Sequence, residues 1–139
     1  MDQPLKLTMT LPMIPKVELL AIDGIQHLCS YKNIDADRVD EAKILVGEAV
    51  INALEHADSS RQETKVDFTI TDEKIVISVR DYGRGFDADK VPVPKIEQKI
   101  GAKNKRGWGL QLMRSLSDDF TIDSGPDGTT ITIYLNLQN

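Results

Sequence analysis

The chain has 139 residues, 40% of them hydrophobic and 28% charged, with a formal net charge of −5. That length suits one domain with a real core, and those proportions exclude a disordered chain. The acidic balance argues against nonspecific nucleic-acid binding, and no apolar run approaches the roughly 18 residues of a membrane span.

In chain order, "LKLTMTLP" (5–12) alternates apolar and polar residues and ends on Pro12, so it reads as a strand. Pro15 opens a helix to about Tyr31, with Val17, Leu20, Ile25 and Leu28 as its apolar face. A second helix is expected from about Ala36 to Ala57, broken by "DSS". "TKVDFTIT" (64–71) and "KIVISVRD" (74–81) alternate strongly across a short "DE", which predicts an antiparallel hairpin. "GLQLMRSLS" (109–117) is a short helix, and "DFTIDSG" and "TTITIYLN" form a closing hairpin turned by "PDG" at 126–128. Tight turns between strands imply an α+β fold, an antiparallel or mixed sheet with helices on one face. Between the second hairpin strand and the third helix lies "FDADKVPVPKIEQKIGAKNKRG" (86–107), with two prolines, six Lys or Arg and weak periodicity. An irregular stretch of that length is a functional lid or a disordered segment. Cys29 stands alone and the start "MDQPLKLTM" lacks a signal-peptide pattern, so a soluble protein of the reducing cytoplasm is expected.

Three stretches carry the chemistry. Within "EAVINALEH" (48–56), Glu48, Asn52 and His56 recur every fourth residue on one helical stripe among apolar neighbours. Alone, the stripe reads as a solvated face; facing a ligand, its carboxylate and amide oxygen suit a hard cation or a proton transfer. In "DYGRGF" (81–86), Asp81 ends an apolar strand, and Gly83 and Gly85 permit close backbone approach; the plainer reading is an ordinary turn. In "RGWGLQLM" (106–113), Gly107 and Gly109 lead into a helix, where bare N–H groups and the helix dipole favour phosphate, unless this is a plain helix start.

Taken together and in this order, the three stretches resemble the N box and the two glycine boxes of the GHKL ATPases, the superfamily of gyrase, MutL and the histidine kinases. The resemblance covers roughly residues 36 to 137 and implies the Bergerat fold, a two-layer α/β sandwich with a mixed, mostly antiparallel sheet, residues 1–139 forming a single domain. The wording of "EAVINALEHA", "DYGRGF" and "RGWGLQLM" is most similar to the anti-sigma factor serine kinases. Histidine kinases usually carry Asn where Glu48 stands and need a phosphoacceptor hairpin upstream, for which this sequence leaves no room; His27 reads as an ordinary histidine. One departure is Asp58, where the family often has tyrosine, which bears on partner or loop details.

The resemblance implies ATP and Mg²⁺ as ligands. Asn52 is then the metal ligand, Glu48 the general base, and Asp81 the acceptor for the adenine amino group. Gly83 and Gly85 lie along base and ribose. Gly107, Gly109 and Leu110 offer backbone amides to the phosphates, and Arg106 neutralises charge near the γ-phosphate. The lid is expected at about 86–107, where Lys90, Lys95, Lys99, Lys103 and Lys105 either reach phosphate or stay solvated. Trp108 covers the nucleotide, docks a partner or packs in the core, and His56 makes a structural hydrogen bond at the helix end. The implied activity is serine/threonine phosphorylation of a small anti-sigma antagonist by a protein that also binds a sigma factor, with a homodimer as the family's common form and no direct nucleic-acid or membrane contact. The alternative is a nucleotide-sensing regulatory module with little or no kinase turnover.

Overall fold

The computed structural model describes residues 3–55, 62–82 and 106–137. Strand β1 spans Leu5–Pro12, and helix α1 spans Glu18–Cys29. Helix α2 runs Ala36–Glu55 and opens on Asp35, whose carbonyl accepts from the N–H groups of Arg38 and Val39. Strands β2 (Glu63–Ile70) and β3 (Lys74–Asp81) follow, then helix α3 (Arg106–Leu116) and strands β4 (Asp119–Gly125) and β5 (Gly128–Asn136).

The five strands form one sheet in the order β1-β2-β3-β5-β4, and each neighbouring pair is antiparallel. Period-two alternation places Val66, Phe68 and Ile70 of β2, Ile75, Ile77 and Val79 of β3, and Ile131, Ile133 and Leu135 of β5 on one buried face. The other face carries Lys65, Asp67, Ser78, Arg80 and Thr132, none of them buried. The three described helices cover the apolar face. Helix α1 lies over β1 and β2, α2 over β3 and β5, and α3 against α2 and β4. The expected α+β sandwich with helices on one side is therefore what forms, because only one face of the sheet has apolar area to bury.

Two sequence expectations shift. Leu20, assigned to the inward face of the first helix, is 52% exposed, while Ala21, Ile25 and Cys29 point inward. Gly24 lets the helix approach closely: a Cβ there would lie 3.0 Å from the Met9 sulfur and 3.4 Å from Leu7, so α1 rests its glycine directly on β1. Helix α3 begins at Arg106, three residues before the expected start, and so takes Gly107 and Gly109 into its first turn. Glycine costs about 1 kcal/mol in a helix interior, and tertiary packing of Leu110 and Met113, both buried, offsets it.

Candidate functional site

Glu48 and Asn52 share one stripe of α2, but their environments differ. Glu48 is half-buried, whereas Asn52 is 3% exposed, among Ala49, Val50 and Ala53 at 1% or less. Both polar atoms of the Asn52 amide are buried, and neither has a hydrogen-bond partner among the described residues. A buried amide left in that state costs roughly 1–3 kcal/mol per orphaned group. Such a group stays buried at that cost where it serves something other than stability. The oxygen suits a hard cation or a ligand donor, and the nitrogen suits an acceptor.

Asp81 ends β3 on the helix-facing side of the sheet and is also 3% exposed. It does not stand among apolar residues. The register aligns it with Thr64 of β2 on one side and Thr129 of β5 on the other, and Thr129 in turn with Ser124 of β4. Thr64 and Thr129 are buried, at 0% and 1% exposure. The Thr64 hydroxyl donates to the Arg80 carbonyl at 2.6 Å, and the Ser124 and Thr129 hydroxyls are hydrogen-bonded at 2.8 Å. One layer further in, Val66, Val79, Ile131 and Ile122 continue the same face as an apolar floor. A polar row above an apolar floor suits a flat heteroaromatic ligand with polar edges.

Thr64 and Thr129 were not singled out from the sequence. Their signal was parity: Thr64 continues the inward set Val66, Phe68 and Ile70, and Thr129 continues Ile131 and Ile133. Alternation alone could not bring them to Asp81, since cross-strand register is a tertiary property.

Helix α2 packs against both β3 and α3. The stripe helix thus lies beside the strand that ends in Asp81 and the helix that begins at Arg106. Helix geometry leaves the first four N–H groups of α3 without intrahelical acceptors, and two of them belong to Gly107 and Gly109. Leu110 is buried behind that turn. His56, Asp58, Gly83, Gly85 and the lysine-rich stretch 90–105 lie outside the described residues. His27 is exposed on α1. The Cys29 thiol is buried and pushed up to about 11 by desolvation, which makes it an unreactive core group. A cleft of about 660 Å³ opens at the opposite end of the sheet, lined by residues that include Leu5, Tyr31, Ile34, Arg38 and Asp72. Among the described residues, none of the predicted site residues lines it.

The pattern of the histidine kinase-like ATPase domain matches residues 16–135, nearly all of the chain described above. The chain belongs to that family. Within it, this ATPase domain is 34% identical over 105 residues to the anti-sigma F factor of Bacillus subtilis, covering 73% of this chain and 71% of that protein. It is 29% identical over 139 residues to the serine-protein kinase RsbW of Listeria monocytogenes, covering 94% of this chain and 88% of that protein. These relatives place the domain on the anti-sigma kinase branch. Among solved structures, the RsbU and RsbW domains of a Mycobacterium tuberculosis protein superimpose with a TM-score of 0.72 at 21% identity. The superposition covers 97% of this chain and 33% of that one, and it supports the shared fold. No helix among the described residues is long and apolar enough to cross a membrane.

Proposed function

We propose that this protein is an ATP- and Mg²⁺-dependent serine/threonine protein kinase of the anti-sigma type. It binds a sigma factor and phosphorylates a small antagonist protein in the cytoplasm, working as a single ATPase domain over residues 1–139 with its lid at about 86–107. The observation that carries this reading is the orphaned amide of Asn52, buried one helical turn after Glu48 in a domain of the histidine kinase-like ATPase family.

The residues fit the ligands. Asp81, acceptor-only when ionised, takes a hydrogen bond from the adenine amino group, with Thr64 and Thr129 beside it and Val79 beneath. Gly83 and Gly85 follow Asp81 and let the chain pass base and ribose closely. The open N–H groups at the start of α3, including those of Gly107 and Gly109, donate hydrogen bonds to phosphate oxygens. Arg106 adds charge near the γ-phosphate, and Leu110 anchors the turn in the core. Asn52 offers one oxygen to Mg²⁺, an ion that favours oxygen ligands and keeps several waters. When bound, the metal neutralises phosphate charge during transfer.

Glu48 supplies the proton acceptor. The serine or threonine hydroxyl of the antagonist attacks the γ-phosphorus, the bond from that phosphorus to the β,γ-bridging oxygen breaks, and Glu48 takes the hydroxyl proton. Backbone amides held by the first turn of α3 stabilise the charge with little reorganisation. The −5 net charge leaves the protein suited to protein partners rather than nucleic acid.

The test is to capture partners in the presence of ATP and Mg²⁺ and follow γ-labelled phosphate onto them. Label on a serine or threonine of a copurified small protein is the expected result. Nucleotide-dependent capture with no transfer would replace the kinase with a nucleotide-sensing module.

A further inference from the structure

Beyond its pairing with β2 and β5, three contacts among the described residues bear on the end of β3. From β2, the fully buried Thr64 hydroxyl donates at 2.6 Å to the carbonyl of Arg80, in the peptide whose nitrogen belongs to Asp81. From β5, Gly128 sits at φ +135°, where a Cβ would collide with the Asp81 carbonyl oxygen and come within 3.0 Å of the Tyr82 Cα. On the open face, the Arg80 guanidinium lies 5.2 Å from the centroid of the Tyr82 ring.

The three restraints differ in kind. The Gly128 contact is steric and limits approach without setting a direction. Arg80 stacks from an exposed side chain, which gives a weak restraint. The Thr64 bond is directional and shielded from water, so it adds to the pairing with β2 and β5 a side-chain restraint on the rotation of the 80–81 peptide, from which the Asp81 side chain projects.

We infer that Thr64 is a positioning residue for Asp81, and that its hydroxyl sets the preference for adenine over guanine. The inference rests on the reading of Asp81 as the adenine acceptor. Adenine presents an amino donor where guanine presents a carbonyl oxygen, so a carboxylate held still accepts from the first and repels the second. A carboxylate free to swing finds the N1–H and 2-amino donors of guanine instead. Loosening Asp81 therefore costs ATP affinity while sparing or improving GTP affinity. A residue that only supports the sheet changes both alike.

Thr64→Val keeps shape and β-branching and removes the donor, and Thr64→Ser keeps the donor. ATP and GTP are titrated with Mg²⁺ by calorimetry into the full chain, as wild type, Thr64→Val, Thr64→Ser and Asp81→Ala. The ATP affinity of Thr64→Val should fall roughly fivefold, the net worth of one hydrogen bond, with GTP affinity unchanged or tighter. Thr64→Ser should restore the wild-type ratio. Should the valine variant lose the wild-type circular dichroism spectrum, Thr64→Ala carries the same expectation. A wild-type ATP-to-GTP ratio in a folded variant lacking the donor overturns the inference, including the case where both affinities drop together. Wild-type protein without adenine preference, matched by Asp81→Ala, instead overturns the adenine reading of Asp81 itself.

Discussion

Replacing Asn52 with leucine should make the nucleotide-free protein more stable and unable to use Mg²⁺-ATP. Both amide atoms of Asn52 are buried without partners among the described residues, at a cost of roughly 1–3 kcal/mol each. Leucine has nearly the same shape and brings no polar atom, but its slightly larger volume returns part of the gain as overpacking against Ala49 and Ala53. A net stabilisation of about 2 kcal/mol is expected, which for a domain of this size raises Tm by roughly 6–10 °C. Ligand reverses the order. Mg²⁺-ATP at about a hundred times its Kd stabilises wild type by about 2.7 kcal/mol through mass action. The leucine variant should gain little from it. Thermal melts of both proteins, with and without Mg²⁺-ATP, give four curves that should cross in this way. A nucleotide-free variant melting below wild type would refute the reasoning, because the amide would then already be satisfied. So would a variant that Mg²⁺-ATP stabilises as much as wild type.

Asp81→Asn should weaken ATP binding by roughly 10- to 150-fold, the 1.5–3 kcal/mol of a buried hydrogen bond to a charged group. Calorimetry with ATP and GTP reads it, and unchanged ATP affinity removes Asp81 from the base. Glu48→Gln should bind nucleotide as wild type does while phosphoryl transfer falls about 10²–10⁴-fold in single-turnover assays. Transfer at the wild-type rate would show that Glu48 is not the base. Gly128→Ala should destabilise the protein by more than about 1 kcal/mol, since alanine is strained at a positive φ and its Cβ would meet the Asp81 carbonyl. A wild-type melting temperature would mean that the β4–β5 turn relaxes freely.

Much of the fold was legible because period-two alternation is strong where one sheet face is buried. β1 and β3 fall on the residues the pattern assigns, Leu5–Pro12 and Lys74–Asp81. The start of α2 was equally plain, with Ala36 following Asp35. The apolar face of α1 is not legible at Leu20, because hydrophobicity identifies a candidate for burial while the centre of the buried face, on Val17, Ala21 and Ile25, is set by packing. Asn52 and Asp81 were nominated by residue type and spacing, but burial without partners is a tertiary fact. The partners of Asp81 in the row were hidden for a related reason. Threonine is ordinary in strands, and only pairing across four strands turns Thr64, Asp81, Thr129 and Ser124 into neighbours.

The sheet order has a consequence for how the protein comes into being. Strand β5, the last described strand, inserts between β3 and β4 rather than adding to an edge. While it is still inside the ribosome, Ile77, Val79 and Asp81 lack one of their two strand neighbours, and Gly128 and Thr129 are absent from the end of β3. Chains in which β5 has not yet emerged therefore expose an apolar strand flank and leave Asp81 without its neighbour Thr129. Folding of this sheet thus waits on β5, and a chain that lacks it cannot close the apolar face around β3.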